Sequence, residues 1–245
     1  MKKKESVVAV IRREKRRRAL GTDLMCDWDF ARDNGENPQL TRLAQNYVTH
    51  FENFRSRGAG LFLYGGPGSG KSFAAAAIVN ELTDRGYRCL FTSLLTVLSD
   101  LSGLGYGNRR CFLSQICDRD LLVLDDFGTE AETSFSSDVL LQIINLCRLK
   151  SVPIIVTTPY HPDALTQGGA ASRRTFAVHR LLSRCTPVNV IIPRPRSSRN
   201  FKQKQQGDTL LKEPAQQEAQ PRGLPVPKQE DQAKEQPVQQ KLPLH

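Results

Sequence analysis

The sequence lacks long apolar runs, a secretory leader pattern and paired cysteine motifs, and each absence argues against a class of protein. No apolar run approaches the ~18–20 residues that a membrane-spanning helix needs. The basic first residues are followed by only a short apolar stretch, so we expect no signal peptide. None of the six cysteines forms a C-x-x-C pair, and no histidine stands at zinc-finger spacing from them, which argues against a structural zinc. We therefore expect a protein of the reduced cytoplasm that does not enter a membrane.

Acidic residues are few at the start of the chain and aromatic residues are missing near its end, and this uneven distribution divides the chain into three zones. Residues 1–25 form a basic arm, since residues 1–20 alone carry +7 of the formal net charge of +10. Residues 197–245 are rich in Gln, Pro, Lys and Glu and hold no aromatic residue after Phe201, which predicts a disordered tail. Residues 26–196 are predicted to form one globular domain. The arm could contact nucleic-acid phosphates or equally an acidic partner.

The most informative motif lies between two apolar runs, 61–64 and 73–79. It matches the pattern G-x-x-x-x-G-K-[ST] without a mismatch and consists of Gly65, Gly66, Pro67, Gly68, Ser69, Gly70, Lys71 and Ser72. A glycine-rich turn from a strand into a helix points backbone N–H groups at one place, where the helix N-terminus adds positive partial charge. The motif therefore predicts an ATP site, with Lys71 on the β- and γ-phosphates and the Ser72 hydroxyl on Mg²⁺.

Strand-like and helix-like segments alternate through the predicted domain. This order favours a parallel α/β sheet covered by helices on both faces. The strand-like runs are 61–64, 88–92, 121–125, 153–157 and 188–192. The helical patterns are 38–55, 71–85, 93–101, 109–118, 135–150 and 173–185.

Two adjacent acids follow the apolar run 121–124, and they supply the second half of the predicted site. A buried strand delivers Asp125 and Asp126 at its carboxyl end, where open α/β sheets place ligands. We expect Asp125 to hold Mg²⁺ and Asp126 to polarise the attacking water.

Together these segments resemble the AAA+ ATPases of the DnaC/DnaI helicase-loader group over about residues 27–196. The resemblance rests on the phosphate loop and on the segments 80–86, 120–130, 143–145, 153–158 and 180–184. It implies a P-loop AAA+ domain with a five-stranded sheet. The phosphate-loop strand would be central, with the sensor strand between it and the Asp125 strand. We expect no helical lid domain after this body.

The resemblance also implies an arginine finger, which acts on the nucleotide of a neighbouring subunit. Arg184 matches that position, and Arg180, one turn earlier, is a second candidate. Relatives end the sensor strand with Asn, where this chain has Pro159, so Thr158 or Thr157 would have to replace the sensor. Arg196 is the best candidate for a late phosphate contact.

The resemblance implies partners as well: a replicative DNA helicase, single-stranded DNA, and further copies of the chain in a ring or spiral. Residues 98–112 combine glycines with Tyr106, Arg109, Arg110 and Phe112, a composition suited to single strands or to an ordinary connecting loop. Two alternatives remain open. One is an IstB-type transposition helper that binds duplex DNA, and the other is an ATP-dependent interaction module with negligible turnover. A small-molecule kinase is a more distant reading.

Overall fold

A computed structural model describes residues 7–167 and 172–191, and these residues alternate helices with strands. The strands in this part of the chain are Gly60–Tyr64 (β1), Cys89–Ser93 (β2), Leu121–Asp125 (β3), Ile154–Thr158 (β4) and Cys185–Asn189 (β5). The α-helices there are Val7–Leu20 (α1), Pro38–Thr49 (α2), Phe51–Ser56 (α3), Lys71–Asp84 (α4), Leu94–Ser102 (α5), Tyr106–Ile116 (α6), Ser134–Leu149 (α7) and Arg173–Leu182 (α8).

The five strands form one parallel sheet in the order β2-β3-β4-β1-β5, which confirms the predicted sheet and its strand number. The sensor strand β4 lies between the phosphate-loop strand β1 and the Asp125 strand β3, as the resemblance implied. The middle strand of the sheet is β4, however, and β1 lies beside it, so the expectation of a central β1 was wrong by one strand. All five strands point the same way, and the segments after β1, β3 and β4 therefore meet at one edge.

Helices cover both faces of the sheet, as predicted, and each face has its own apolar core. Helices α1, α2 and α4 pack on one face, and α5 to α8 pack on the other. Successive strand residues alternate between the two cores: Leu61 and Leu63 of β1 face the first, whereas Phe62 faces the second. Burial on both faces explains why the strands read as continuous apolar runs in the sequence.

Several element boundaries differ from the sequence prediction, and two of these differences have clear local reasons. The helix expected over 38–55 is interrupted at His50, which ends α2 and precedes α3 with φ −107° and ψ 24°. The last strand spans Cys185–Asn189, not 188–192, because its pairing with β1 begins at Cys185 opposite Gly60. Pro187 is tolerated there because β5 is an edge strand.

Charge pairs fix α1 to the body, although the sequence reading treated residues 1–25 as a separate arm. Arg16 is 5% exposed and donates to Asp84 at the end of α4 and to the Cys26 carbonyl. Ala19 and Leu20 reach the first apolar core. The division between arm and body at residue 25 stays a prediction. The predicted tail, the region where no lid is expected and residues 192–196 of the predicted body lie outside the described residues. No helix among the described residues is long and apolar enough to cross a membrane.

Candidate nucleotide site

The phosphate loop joins β1 to α4 through backbone geometry that only glycine adopts without strain. Gly65, Gly68 and Gly70 have φ of +146°, +73° and +93°. A side chain at Gly65 would also stand 2.3 Å from the carbonyl oxygen of Val190. Gly70 precedes α4 without any side-chain cap, so the first N–H groups of the helix remain available to an anion.

Lys71 is held inside this loop. Its Nζ donates to the carbonyl oxygens of Gly65 (2.8 Å) and Gly66 (2.9 Å) and lies 3.2 Å from the Ser69 Oγ. Burial lowers the pKa of Lys71, and the charge of Asp126 opposes that shift. The ammonium group is therefore placed where a phosphate on the loop would meet it.

The acid pair lies at the carboxyl end of β3, as the sequence predicted. Asp125 is 9% exposed, and its Oδ1 accepts a 2.6 Å hydrogen bond from the Thr157 hydroxyl. Burial raises the pKa of Asp125, while hydrogen bonds from Thr157 and Ser72 oppose the rise. Ser72 and Asp125 thus offer two neighbouring oxygen ligands, a donor set that fits Mg²⁺ when phosphate oxygens complete the shell.

Asp126 adopts a left-handed backbone, with φ +52°. This conformation is uncommon for a residue other than glycine, and strained positions of this kind concentrate at functional sites. The N–H of Asp126 donates to the Thr157 Oγ1 at 3.0 Å, and the N–H of Phe127 donates to the Thr157 carbonyl at 2.8 Å. The Asp126 side chain is exposed at the edge of the sheet.

The two threonines at the end of β4 have different contacts. Thr157 binds the acid pair with its hydroxyl group, which donates to Asp125 and accepts from Asp126. The Thr158 hydroxyl instead accepts from the N–H of Tyr160 (3.2 Å), and the Thr158 carbonyl accepts from the N–H of Gly65 (3.3 Å). Of the two suggested replacements for the sensor, Thr157 is the one beside the acids, and Thr158 supports the start of the phosphate loop.

A buried ion pair, which the sequence reading missed, links the segment after the acid pair to α8. Oε1 of Glu130 lies 2.6 Å from Nη1 of Arg174, and their side chains are 2% and 5% exposed. The Arg174 guanidinium also lies 4.6 Å from the ring centroid of Phe127, which is completely buried and directly follows Asp126. In the sequence, the one signal for this pair was Glu130 within the motif 120–130. Its partner Arg174 is distant along the chain, so the pairing could not be predicted.

The two arginine-finger candidates lie away from the phosphate loop of their own chain. The Arg184 Nη2 donates to the carbonyl oxygens of Gly58 (3.1 Å) and Val152 (3.3 Å), at the sheet edge where β1 begins. Arg180 donates to Asn145 and lies 4.6 Å from the ring centroid of Phe176. Arg196 lies outside the described residues.

A cavity of about 200 Å³ adjoins the phosphate loop and was not predicted. Phe30, Leu40 and Phe73 give it an apolar lining, and Ser69 belongs to its wall. Asn37 caps α2 by accepting from Leu40 N, and its Nδ2 donates to the Ser69 carbonyl at 3.4 Å. An apolar cavity beside a phosphate loop suits the nucleoside end of a nucleotide. In the sequence, the signal available for this wall of the cavity was Asn37 followed by Pro38, a pair typical of a helix start.

Comparison with known proteins places this site in a family. The profile of the family described as IstB-like ATP binding protein matches residues 14–198. The replicative helicase loader DnaI of Bacillus subtilis (strain 168) is 31% identical over 140 residues, which is 55% of this chain and 45% of DnaI. The replicative helicase loader DnaC of Escherichia coli (strain K12) is 30% identical over 127 residues, 51% of each chain.

A solved structure shares the fold. The crystal structure of DnaI superposes with a TM-score of 0.58 at 23% identity, covering 70% of this chain and 92% of that one. The chain spans about half the length of the curated relatives it matches.

Proposed function

The chain belongs to the family of IstB-like ATP-binding proteins, and on that premise we propose that it is an ATPase that acts in DNA replication as a DnaC-like helicase loader. The observation that carries the proposal is the meeting of the phosphate loop, Ser72, Asp125 and Asp126 at one edge of the sheet, with Thr157 binding both acids. The sequence similarity to two replicative helicase loaders supports the biological role.

We propose that ATP lies with its phosphates on the loop and its nucleoside in the 200 Å³ cavity. Lys71 binds the β- and γ-phosphates, and the Gly70–Lys71 helix start supplies backbone N–H donors. Ser72 and Asp125 would hold Mg²⁺, which would neutralise phosphate charge. The side-chain hydrogen bond between Ser72 and Asp125 supports this pair of ligands, because it brings their oxygens together.

Asp126 is the proposed acceptor of a proton from the attacking water. Its exposed carboxylate follows Asp125 directly, and its left-handed backbone turns the chain away from β3 at this residue. Thr157 fixes that turn by accepting from the Asp126 N–H. Sub-ångström placement of such a base matters because catalysis of phosphoryl transfer relies on positioning and charge.

Arg184 acts in trans in this proposal, with Arg180 assisting. Arg180 lies near the end of α8, and Arg184 lies just after it beside the start of β1, whereas the phosphate loop follows the opposite end of β1. A residue placed there can serve the nucleotide of a neighbour only in a head-to-tail assembly, which closes into a ring or continues as a spiral. Arg184 must then release the Gly58 and Val152 carbonyls to reach a phosphate.

This trans role has its own test. Neither Arg184→Ala nor Asp126→Asn should hydrolyse ATP rapidly alone, but a mixture should recover part of the activity, because each subunit supplies what its neighbour lacks. No recovery from variants that both fold and assemble would contradict the trans role.

Single-stranded DNA is the proposed nucleic-acid ligand, and an exposed arginine–aromatic pair supports it. Arg109 lies 5.5 Å from the ring centroid of Phe135, which is 42% exposed. Exposed rings beside cations are the groups on which bases stack. Phe112, by contrast, packs partly against the second core.

Two other functions have specific support. The family whose profile matches this chain is described as IstB-like ATP binding protein. A transposition helper of the IstB type that binds duplex DNA is therefore the second candidate. Pro159 in place of the sensor Asn favours a third, an ATP-dependent interaction module with negligible turnover.

The experiment that separates these functions measures the ATPase rate without DNA, with single-stranded DNA and with duplex DNA at one fixed salt concentration. The loader predicts selective stimulation by single strands, because those are its proposed ligand. Selective stimulation by duplex DNA would replace it with the transposition helper. ATP binding without turnover in any condition would favour the interaction module.

A further inference from the structure

A second cavity lies far from the phosphate loop, at the edge of the sheet where the strands begin. It has a volume of about 250 Å³ and lies between the end of α1, the turn after α4 and the first residues of β2. Four of its lining residues are cationic, and none of the described residues that line it is acidic. The four cations are Lys15, Arg18, Arg88 and Arg119.

The positive charge in this cavity is only partly neutralised by neighbouring acids. Arg18 pairs with Glu14 at 2.8 Å, and Arg88 pairs with Asp118 at 3.2 Å and with Asp120, which also pairs with Arg55, at 3.9 Å. Glu14 and Asp118 are each shared with a further cation, Arg17 and Lys150 respectively. Local positive charge therefore exceeds negative charge around the cavity.

Lys15 and Arg119 make no ion pair with any other residue in the described ranges 7–167 and 172–191. Nε of Arg119 is buried and has no hydrogen-bond partner there. Buried donors of this kind are normally satisfied, and an unsatisfied one calls for a ligand or another explanation. Lys15, in contrast, is exposed at the cavity rim.

A hydroxyl group in the wall is also without an oxygen or nitrogen partner. Thr83 is 6% exposed, and its Oγ1 is buried beside the Cys89 thiol without another hydrogen-bonding neighbour in the described residues. Thr83 and Cys89 both line the cavity. Three guanidinium groups and an ammonium group line the cavity, and such charged donors recognise a tetrahedral oxyanion.

We propose that this cavity is a second anion site, which binds a phosphate group and is independent of the nucleotide. A single carboxylate would leave most of the four cations uncompensated, whereas a free phosphate ion carries more charge and more acceptor oxygens, and a nucleic-acid backbone presents several successive charged phosphodiesters. The phosphate belongs either to a nucleic-acid backbone, which would neutralise such a basic site, or to a free anion. Both sources present tetrahedral phosphoryl oxygens to the same cationic donors.

The test uses the full chain with Lys71→Ala, which removes the principal cation of the phosphate loop. Isothermal titration with inorganic phosphate, and separately with a thymidine oligonucleotide, measures binding at low salt. In this background, Arg119→Gln and Lys15→Gln should each weaken binding about 10-fold, because each removes one charge-assisted contact. Arg148→Gln, an exposed charge change outside the cavity, should alter affinity less than about 2-fold.

The two probes identify the source of the phosphate. Loss of oligonucleotide affinity in both cavity variants assigns the site to a nucleic-acid backbone, and loss of inorganic phosphate affinity alone assigns it to a free anion. Lys15→Gln changes an exposed side chain, so it keeps the test valid if Arg119→Gln fails to fold. Failure of the parent to bind either probe, or equal affinities in all variants and the control, would overturn the proposal.

Discussion

The two edges of the sheet differ in how they use charge. Left-handed backbone occurs at both edges, at Gly70 and Asp126 where the strands end and at Gly58 and Ser151 where they begin, but the start of α4 at the first edge is uncapped. At the edge where they begin, side chains pair with one another, as Arg55 and Lys150 do with Asp120 and Asp118. The first edge has open backbone donors at the start of α4 that a ligand can occupy, whereas the second satisfies most of its charges internally.

This contrast explains why the same sheet can be both stable and reactive. Unmet hydrogen-bonding capacity is costly in a folded protein, so a buried donor without a partner calls for an explanation. Among the described residues, such donors at the second edge include Nε of Arg119 in the anion cavity and Nη1 of Arg184. The following predictions test whether the two edges differ as described.

The largest effect is expected from removal of the proposed base. Asp126→Asn should lower the hydrolysis rate by about 10²–10⁴-fold while ATP binding persists, because it removes proton transfer without changing the phosphate loop. Asp118→Asn, an exposed acid at the opposite edge, is the matched control and should leave the rate unchanged. Steady-state hydrolysis and direct ATP binding measure the two quantities, and equal rates for the two variants would disprove the role of Asp126.

The buried ion pair between Glu130 and Arg174 should contribute more to stability than the exposed pair formed by the neighbouring residue Arg173. Arg174→Met leaves the Glu130 carboxylate buried without its cation, with only the N–H of Gly128 as donor, and should lower the free energy of unfolding by about 3–5 kcal/mol. Arg173→Met breaks an exposed pair with Asp138 and should cost less than about 1 kcal/mol. Urea unfolding compares them, and similar losses would contradict the burial argument.

Thr157 should matter for its hydroxyl group rather than its shape. Thr157→Val removes the hydrogen bond to Asp125 and the acceptor for Asp126 N, and should cost about 1–3 kcal/mol of unfolding free energy. It should also lower the hydrolysis rate. Thr157→Ser keeps the hydroxyl group and should restore most of both properties. A serine variant as impaired as the valine variant would show that packing, not hydrogen bonding, is responsible.

Two aspartates should respond to pH with opposite signs. Burial alone would raise the pKa of Asp84, but hydrogen bonds from Arg16 and Arg12 outweigh it and hold the pKa below the ordinary 3.8. Its stabilisation is therefore present above that value and lost as the pH falls through the folded pKa. Burial raises the pKa of Asp125, so Asp125 stabilises the fold at low pH and loses that contribution as the pH rises.

These signs give a paired prediction at neutral pH. Asp84→Asn should lower the free energy of unfolding by about 1.5–3 kcal/mol, and its deficit should shrink toward pH 3, roughly, as the wild-type carboxylate gains a proton. Asp125→Asn should leave stability at pH 7 equal to or above that of the unchanged chain. Urea unfolding across the pH range compares the variants, and an Asp125→Asn deficit as large as that of Asp84→Asn would refute the assignment.

The sequence predicted the features that depend on local pattern and missed those that depend on distant contacts. The phosphate loop and β3 with its acids are contiguous motifs, and their positions follow from the strand and helix around them. The Glu130–Arg174 pair joins two segments that only the fold brings together. The start of β5 was misplaced because pairing with Gly60, not apolar content, fixes it.

The contacts of the basic residues show the same limit. In the sequence alone, the run from Arg12 to Arg18 is typical of a phosphate-binding arm. In the structure Arg16 is buried against Asp84, and Arg17 and Arg18 both bind Glu14, so much of that charge attaches α1 to the body or is paired within α1. Charge counts do not reveal pairing, because each partner comes from a different turn or element.

The measurement that tests the central claim most directly is equilibrium binding of Mg-ATP to the full chain and to Lys71→Ala. Lys71 is 6% exposed and lies within hydrogen-bonding distance of three oxygens of the phosphate loop, so its removal should weaken ATP binding by about 100-fold or more. Lys150→Ala, at the opposite edge, should bind ATP as the unchanged chain does. A folded Lys71→Ala variant that binds ATP with undiminished affinity would contradict the claim that this edge of the sheet is the nucleotide site.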